Sequence, residues 1–162
     1  MASPEFRIER AGPGDLKELH ELEVKCFGKD AYSKTTLRFL LMDSRCISFK
    51  AVMDDGSLAG FIIGRLENIG GKTVGRIYTI NVDPRFRRRG IAKALMKKIE
   101  AEFAAWGCVE IILEVAVDNR PALELYRSLG FKFTRVLKDY YGPGRHAYEA
   151  KKLLSESIIR SR

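Results

Sequence analysis

Apolar residues recur at helical spacing in four segments of the chain, residues 13–27, 35–42, 88–105 and 119–130. The apolar positions of the first segment are Leu16, Leu19, Leu22, Val24 and Phe27. Those of the third segment are Ile91, Leu95, Met96, Ile99 and Phe103. Amphipathic helices bury such a stripe against another layer of structure, so the pattern predicts four helices that pack on a common core.

The remaining apolar runs are typical of β-strands in length and composition. They span residues 6–11, 46–53, 57–67, 73–83, 109–117, 131–137 and 146–154. The run VEIILEVAV is almost entirely apolar, as expected for a strand that is covered on both faces. We interpret DYYGPGR, residues 139–145, as a loop. The order of helices and strands predicts one α/β domain over residues 1–162 with a mixed central sheet and a core of about 6–154.

Composition narrows the classes of protein to which the chain can belong. Its 162 residues suit one domain, and its formal net charge of +8 favours acidic partners: nucleic acid, an anionic membrane or a phosphorylated ligand. No apolar run reaches the roughly 18 residues of a membrane span, and no signal peptide opens the chain. Three widely spaced cysteines predict neither a disulfide framework nor a metal site. We therefore expect a cytoplasmic protein without a membrane association.

The segment DPRFRRRGIAKALM joins a basic turn to the start of a helix. A helix start presents backbone N–H groups without intrahelical partners, and Gly90 and Ala92 would let a ligand approach them closely. A pyrophosphate fits such a site, with the arginines adding charge-assisted contacts. The same pattern is also compatible with arginines that bind nucleic acid or with a solvated basic turn.

A second segment, LEVAVDNRPALELYRSLGF, carries three polar residues at fixed offsets. Glu114 interrupts an apolar strand, where a carboxylate is costly unless it is solvated or paired. It is either a functional group or a structural carboxylate bound to an arginine. Asn119 and Tyr126 lie seven positions apart and so share one helix face. Asn119 is an N-cap in either case, whereas Tyr126 is a functional residue or a core residue.

Together the two segments resemble the GCN5-related N-acetyltransferase (GNAT) superfamily. RRRGIA is similar to its acetyl-CoA pyrophosphate loop, [QR]-x-x-G-x-[GA], and N-x-P-A-x-x-L-Y-x-x-x-G-F to its second cofactor segment. The resemblance covers residues 6–154 and is strongest to the branch of ribosomal-protein alanine N-acetyltransferases and archaeal protein N-terminal acetyltransferases. It implies the single-domain GNAT fold: a central mixed, mostly antiparallel sheet of about six to seven strands flanked by four helices.

The resemblance also implies acetyl-CoA as cosubstrate, no metal, and direct transfer of acetyl to an amine. Glu114 is in the position of the general base, and Tyr126 in that of the acid facing the leaving thiolate. The implied cofactor-binding residues are Ile80, Asn81, Val82, Arg87, Arg88, Arg89, Gly90, Ile91, Ala92, Lys93 and Asn119. The implied acceptor-binding residues are Tyr32, Glu67, Tyr140 and Tyr141.

The expected partner is a protein or peptide with a free α-amine, ribosomal proteins included. One departure keeps lysine side chains and polyamines open as acceptors: YYGPGRHAY has Arg145 and His146 where such enzymes often carry an acidic pair. A CoA-binding protein without activity and a basic nucleic-acid-binding module are the remaining hypotheses. Nucleic acid is not the expected partner, because fixed positions of Gly90, Glu114 and Tyr126 serve no purpose in binding a duplex.

Overall fold

The computed structural model describes residues 5–154, which form four α-helices and seven β-strands. The helices are α1 (Leu16–Phe27), α2 (Lys34–Met42), α3 (Ile91–Ala105) and α4 (Arg120–Ser128). The strands are β1 (Phe6–Arg10), β2 (Cys46–Met53), β3 (Leu58–Ile69), β4 (Lys72–Val82), β5 (Glu110–Ala116), β6 (Lys132–Gly142) and β7 (Arg145–Leu153). Short 3-10 turns occupy Pro13–Asp15, Gly28–Asp30 and Pro84–Phe86.

The seven strands form one sheet in the order β1-β2-β3-β4-β5-β7-β6. Antiparallel pairing joins β1 to β2, β2 to β3, β5 to β7, and β7 to β6. Strands β4 and β5 pair in parallel, through Gly75 with Ile111 and Arg76 with Ile112. The predicted fold class, a mixed and mostly antiparallel sheet of six to seven strands with four helices, is therefore confirmed.

The described part of the chain divides into two compact units. The first takes the described residues up to Leu66 together with Ile77–Glu102, and the second takes Glu67–Arg76 together with the described residues from Phe103 onward. A core cluster of the first unit consists of Leu16, Leu19, Leu22, Leu37, Leu40, Phe61 and Ile63. The predicted apolar face of α1 was too wide, because Val24 and Phe27 keep 44% and 37% of their surface exposed.

In the second unit, strand β6 corrects the prediction of a loop over residues 139–145. The strand continues to Gly142, which pairs with Arg145 at the start of β7. The pairing register shifts between Leu137 and Gly142, and Asp139 adopts a positive φ of 55°. The backbone N–H of Asp139 donates to His146 Nδ1 at 3.0 Å, so this N–H group is hydrogen-bonded although the strand register shifts here. No helix among residues 5–154 has the length and apolar character required to cross a membrane.

Candidate active site

The turn after β4 begins at Asp83, a buried carboxylate that holds the backbone in place. Its Oδ1 accepts from the N–H of Arg85 at 2.9 Å, and its Oδ2 lies 3.2 Å from Lys25 Nζ. Burial alone would raise the pKa of Asp83, but the hydrogen bonds and charges of Arg85 and Lys25 outweigh it and lower this pKa to about 2. Asp83 is therefore an ionised anchor at the start of the basic turn.

The next residues leave backbone N–H groups open at the start of a long helix. Arg88 and Gly90 have positive φ values of 65° and 81°, and α3 begins immediately afterwards at Ile91. A Cβ built on Gly90 would meet nothing within 4 Å, so the space beside this backbone is open. The N–H of Ala94 donates to the carbonyl of Gly90. The N–H groups closer to the start of the helix have no carbonyl one turn earlier, so they have no intrahelical partner. This arrangement fits a pyrophosphate.

Three arginines of the turn make hydrogen bonds or ion pairs within the described part of the chain, and one does not. Arg85 binds Asp83, Arg87 Nε donates to the carbonyl of Val82 at 3.2 Å, and Arg89 pairs with Glu5. Within the described part of the chain, the Arg88 guanidinium has no hydrogen-bond partner. The local charge is thus partly consumed by the fold, and Arg88 is the arginine available to an anionic ligand.

In the second unit, Arg76 brings together two of the carboxylates that the sequence indicated. Its Nε donates to Glu67 Oε1 at 2.9 Å, and its Nη1 donates to Glu114 Oε2. We call these three residues the Arg76 cluster; each keeps less than a quarter of its side-chain surface exposed. Sequence reasoning missed Arg76, although a charged residue inside the apolar run of β4 is the same kind of signal that identified Glu114.

The charges of the Arg76 cluster do not cancel. Burial alone would lower the pKa of Arg76, but hydrogen bonds and the negative charges of Glu67 and Glu114 outweigh it and raise this pKa above its ordinary value. One guanidinium binds two carboxylates, so these three side chains carry a formal charge of −1, and the charge of Arg135 also acts on Glu114. Glu114 thus lies among fixed charges at a partly buried site.

The two tyrosines of β6 lie near this cluster. Their rings meet edge to face with centroids 4.9 Å apart, and both side chains remain partly exposed. Burial raises the pKa of Tyr140, and the charge of Glu114 and a hydrogen bond with it raise it further. Of the predicted acceptor residues, Tyr140 thus contacts the predicted base directly and Glu67 shares Arg76 with it, whereas Tyr141 contacts Tyr140. Tyr32 belongs to the first unit, where its N–H donates to Glu23 Oε2 at 3.0 Å.

The two predicted residues of α4 have different environments. Asn119 caps the helix by accepting from the N–H of Ala122 at 3.3 Å, which confirms the predicted cap. Tyr126 is 8% exposed and meets the Phe131 ring edge to face at 5.7 Å. Burial, and secondarily the charge of Tyr141, raises the pKa of Tyr126. Its phenol therefore remains protonated through the neutral pH range, and the raised pKa also makes it a weaker acid than an exposed tyrosine.

Residues 5–154 include the three cysteines of the chain and side chains of the types that could bind a metal ion. No group of three or more histidine, cysteine, aspartate or glutamate side chains is placed to hold a metal ion in this range. Burial raises the pKa of Cys108 to about 11, so its thiol is a poor nucleophile at neutral pH. The pKa of Cys26 is also raised, mainly by burial.

The chain is similar to known proteins in both sequence and fold. The model of the acetyltransferase (GNAT) family matches residues 16–131. An N-alpha-acetyltransferase from Sulfurisphaera tokodaii is 37% identical over 58% of this chain and 62% of its own length. One from Saccharolobus solfataricus is 38% identical over 63% of this chain and 66% of its own length. The matches thus span just under two thirds of each relative.

A solved structure, Chaetomium thermophilum Naa20 in complex with a bisubstrate analogue, superposes with a TM-score of 0.80 at 25% identity. It covers 96% of this chain and 90% of that one. These relatives confirm the resemblance to protein N-terminal acetyltransferases, including archaeal ones. Since the family match extends over well more than half of the chain and the fold agrees, the protein belongs to the acetyltransferase (GNAT) family.

Proposed function

We propose that the protein is an acetyl-CoA-dependent N-acetyltransferase that modifies the α-amine of protein N-termini by direct transfer. The observation that carries the proposal is the Arg76 cluster, which holds Glu114 beside Glu67 through Arg76, in a chain of this family. The names of its two relatives, both N-alpha-acetyltransferases, support the choice of acceptor.

The residues after β4 fit the acetyl donor, which supplies an acetyl group activated as a thioester. The open N–H groups at the start of α3 and the unengaged guanidinium of Arg88 would bind its pyrophosphate. The backbone at the end of β4 and Asn119 would hold its extended arm. The residues that we assign to the donor are Ile80, Asn81, Val82, Arg87, Arg88, Arg89, Gly90, Ile91, Ala92, Lys93 and Asn119.

The contact of Glu114 with Arg76 is compatible with an α-amine acceptor, which needs little help from a base. Arg76 donates directly to the Glu114 carboxylate, so a guanidinium charge lies beside the proposed base. An α-amine has a pKa of about 7.7–8.0 and is already partly neutral at pH 7, whereas lysine has a pKa of about 10.4. A weak base therefore suffices for the α-amine. Glu114 would accept the proton that the amine loses as its nitrogen attacks the thioester carbonyl.

Tyr126 would supply the proton that the departing thiolate needs. Its raised pKa keeps the phenol protonated before transfer. Glu67, Tyr32, Tyr140 and Tyr141 are assigned to the acceptor, with a protein or peptide N-terminus, such as that of a ribosomal protein, as partner.

The proposal is tested by incubating the protein with acetyl-CoA and paired peptides. One peptide of each pair has a free N-terminus and an internal lysine, and the other has a blocked N-terminus and the same lysine. Mass spectrometry should locate acetyl on the α-amine of the first peptide and on neither position of the second. The Glu114→Gln variant should lower kcat about 100-fold or more, since general base catalysis typically contributes at least that factor.

Equal acetylation of the blocked peptides would replace the α-amine by lysine as the acceptor. Binding of acetyl-CoA without acetylation of any amine would favour a CoA-binding protein without activity.

A further inference from the structure

Glu23 is the one charged residue of α1 that the fold buries, with 2% of its surface exposed. It lies beside Leu19 and Leu22, on the face of the helix that packs into the core. A carboxylate in such a position is unfavourable unless hydrogen bonds compensate for the lost hydration. The helix pattern alone would predict an apolar residue here, so the presence of glutamate calls for an explanation.

The Glu23 carboxylate connects three parts of the first unit. Its Oε2 accepts from the backbone N–H of Tyr32 at 3.0 Å. Its Oε1 accepts from Thr79 Oγ1 at 2.8 Å and from Asn81 Nδ2 at 3.0 Å. Thr79 and Asn81 are two positions apart on β4 and so share one face of the strand. One side chain thus joins α1, the end of β4 and the residue that precedes the cap of α2.

One atom of the buried Asn81 amide lacks a hydrogen bond, which lowers the stability of the folded protein. Its Nδ2 is shared between Glu23 and Thr79, while its Oδ1 is the one buried side-chain oxygen or nitrogen without a hydrogen-bond partner in residues 5–154. An unsatisfied buried oxygen lowers the stability of the folded protein. The polar group on this strand face therefore points to a role in positioning.

We propose that Glu23 is a positioning residue for the acceptor, acting by holding the turn at residues 28–32, and with it Tyr32, against β4. This inference rests on the proposed function, in which Tyr32 binds the acceptor and the end of β4 binds the donor. Independent contacts hold α1 to the donor side, because Lys25 pairs with Asp83 and Cys26 Sγ lies 3.6 Å from the carbonyl of Val82. Loss of Glu23 should therefore loosen the acceptor side and leave the donor side in place.

The test compares Glu23→Gln with Glu21→Gln, which removes an exposed carboxylate of the same helix. In Glu23→Gln, the KM for an N-terminal peptide should rise about tenfold or more, with the KM for acetyl-CoA changed less than about threefold. Hydrogen exchange at residues 28–32 should accelerate at least about tenfold, with exchange in α3 unchanged. The control variant should match the wild type in all of these measurements.

A second variant, Thr79→Val, removes one donor to Glu23 at constant side-chain shape and should produce a smaller change in the same direction. An unchanged peptide KM in both variants would overturn the inference, as would an equal rise in both KM values, which would indicate a general structural role. These outcomes require an active wild type. A wild type that acetylates no α-amine would instead overturn the proposed function, and this inference with it.

Discussion

At the scale of single residues, buried charge is the feature that distinguishes the candidate site. Glu114 was open to two interpretations from the sequence, a general base or a carboxylate paired with an arginine, and the structure shows the pairing with Arg76. The pairing is compatible with the proposed role, because a carboxylate beside a guanidinium can still accept a proton from an amine that is already partly neutral when it attacks.

Tyr126→Phe tests the proton donor at the same scale. Removal of the hydroxyl should lower kcat about 100-fold, since general acid catalysis typically contributes at least that factor. Acetyl-CoA affinity should remain within about twofold in titration calorimetry, because the ring and its contact with Phe131 persist. Tyr148→Phe, which alters a ring packed on Phe133, is the matched control. Wild-type kcat in Tyr126→Phe would remove this tyrosine from the mechanism.

At the scale of elements, β4 carries the groups on which both proposals depend. Arg76 lies on its first half, whereas Thr79 and Asn81 lie on its second half, which ends at Val82. Its neighbour β3 approaches the second half closely at Gly60, where a Cβ would lie 2.4 Å from the backbone oxygen of Asn81. A backbone oxygen cannot move aside as a flexible side chain can, so Gly60 is required for this strand spacing.

Gly60→Ala should therefore destabilise the protein by about 1–3 kcal/mol, the usual effect of forcing an extra carbon into a packed site. For a chain of this size, the melting temperature should fall by roughly 2–4 °C per kcal/mol. Gly12→Ala is the control, because that residue has a φ of −152° and open space around its Cβ position. Equal melting temperatures for the two variants would contradict the close approach of β3 and β4.

At the scale of the whole molecule, the net charge of +8 is a weak guide to the partner. Three of the arginines after β4 are engaged by groups of the first unit, which reduces the charge available for nonspecific contacts. An anionic cofactor that uses backbone N–H groups needs little of that charge. A nucleic-acid partner would depend on it and would bind with a steep dependence on salt.

Acetyl-CoA should stabilise the folded protein, because a ligand that binds only the native state adds about 2.7 kcal/mol at 100 times its Kd. The melting temperature should then rise by roughly 5–10 °C. Gly90→Asp should abolish this rise by placing a carboxylate beside the N–H groups. Gly71→Asp is closely matched, since Gly71 has a φ of 82° and an equally open Cβ position, and it should keep the rise.

A missing rise in the wild type would refute the donor site. Salt-steep binding of duplex DNA that acetyl-CoA does not affect would support the nucleic-acid hypothesis instead.

The sequence by itself determined the features that depend on neighbouring residues. Spacing and caps predicted the helices and strands, and Asn119 caps α4 as expected. Local signals were misleading where strand pairing decides the structure. The glycines of DYYGPGR predicted a loop, but pairing with β7 extends β6 to Gly142. Two sets of hydrogen bonds join residues that are 9–58 positions apart: those that Arg76 donates to Glu67 and Glu114, and those that Glu23 accepts from Tyr32, Thr79 and Asn81. Only the tertiary structure decides such contacts, because hydrogen bonding and burial depend on distance in space.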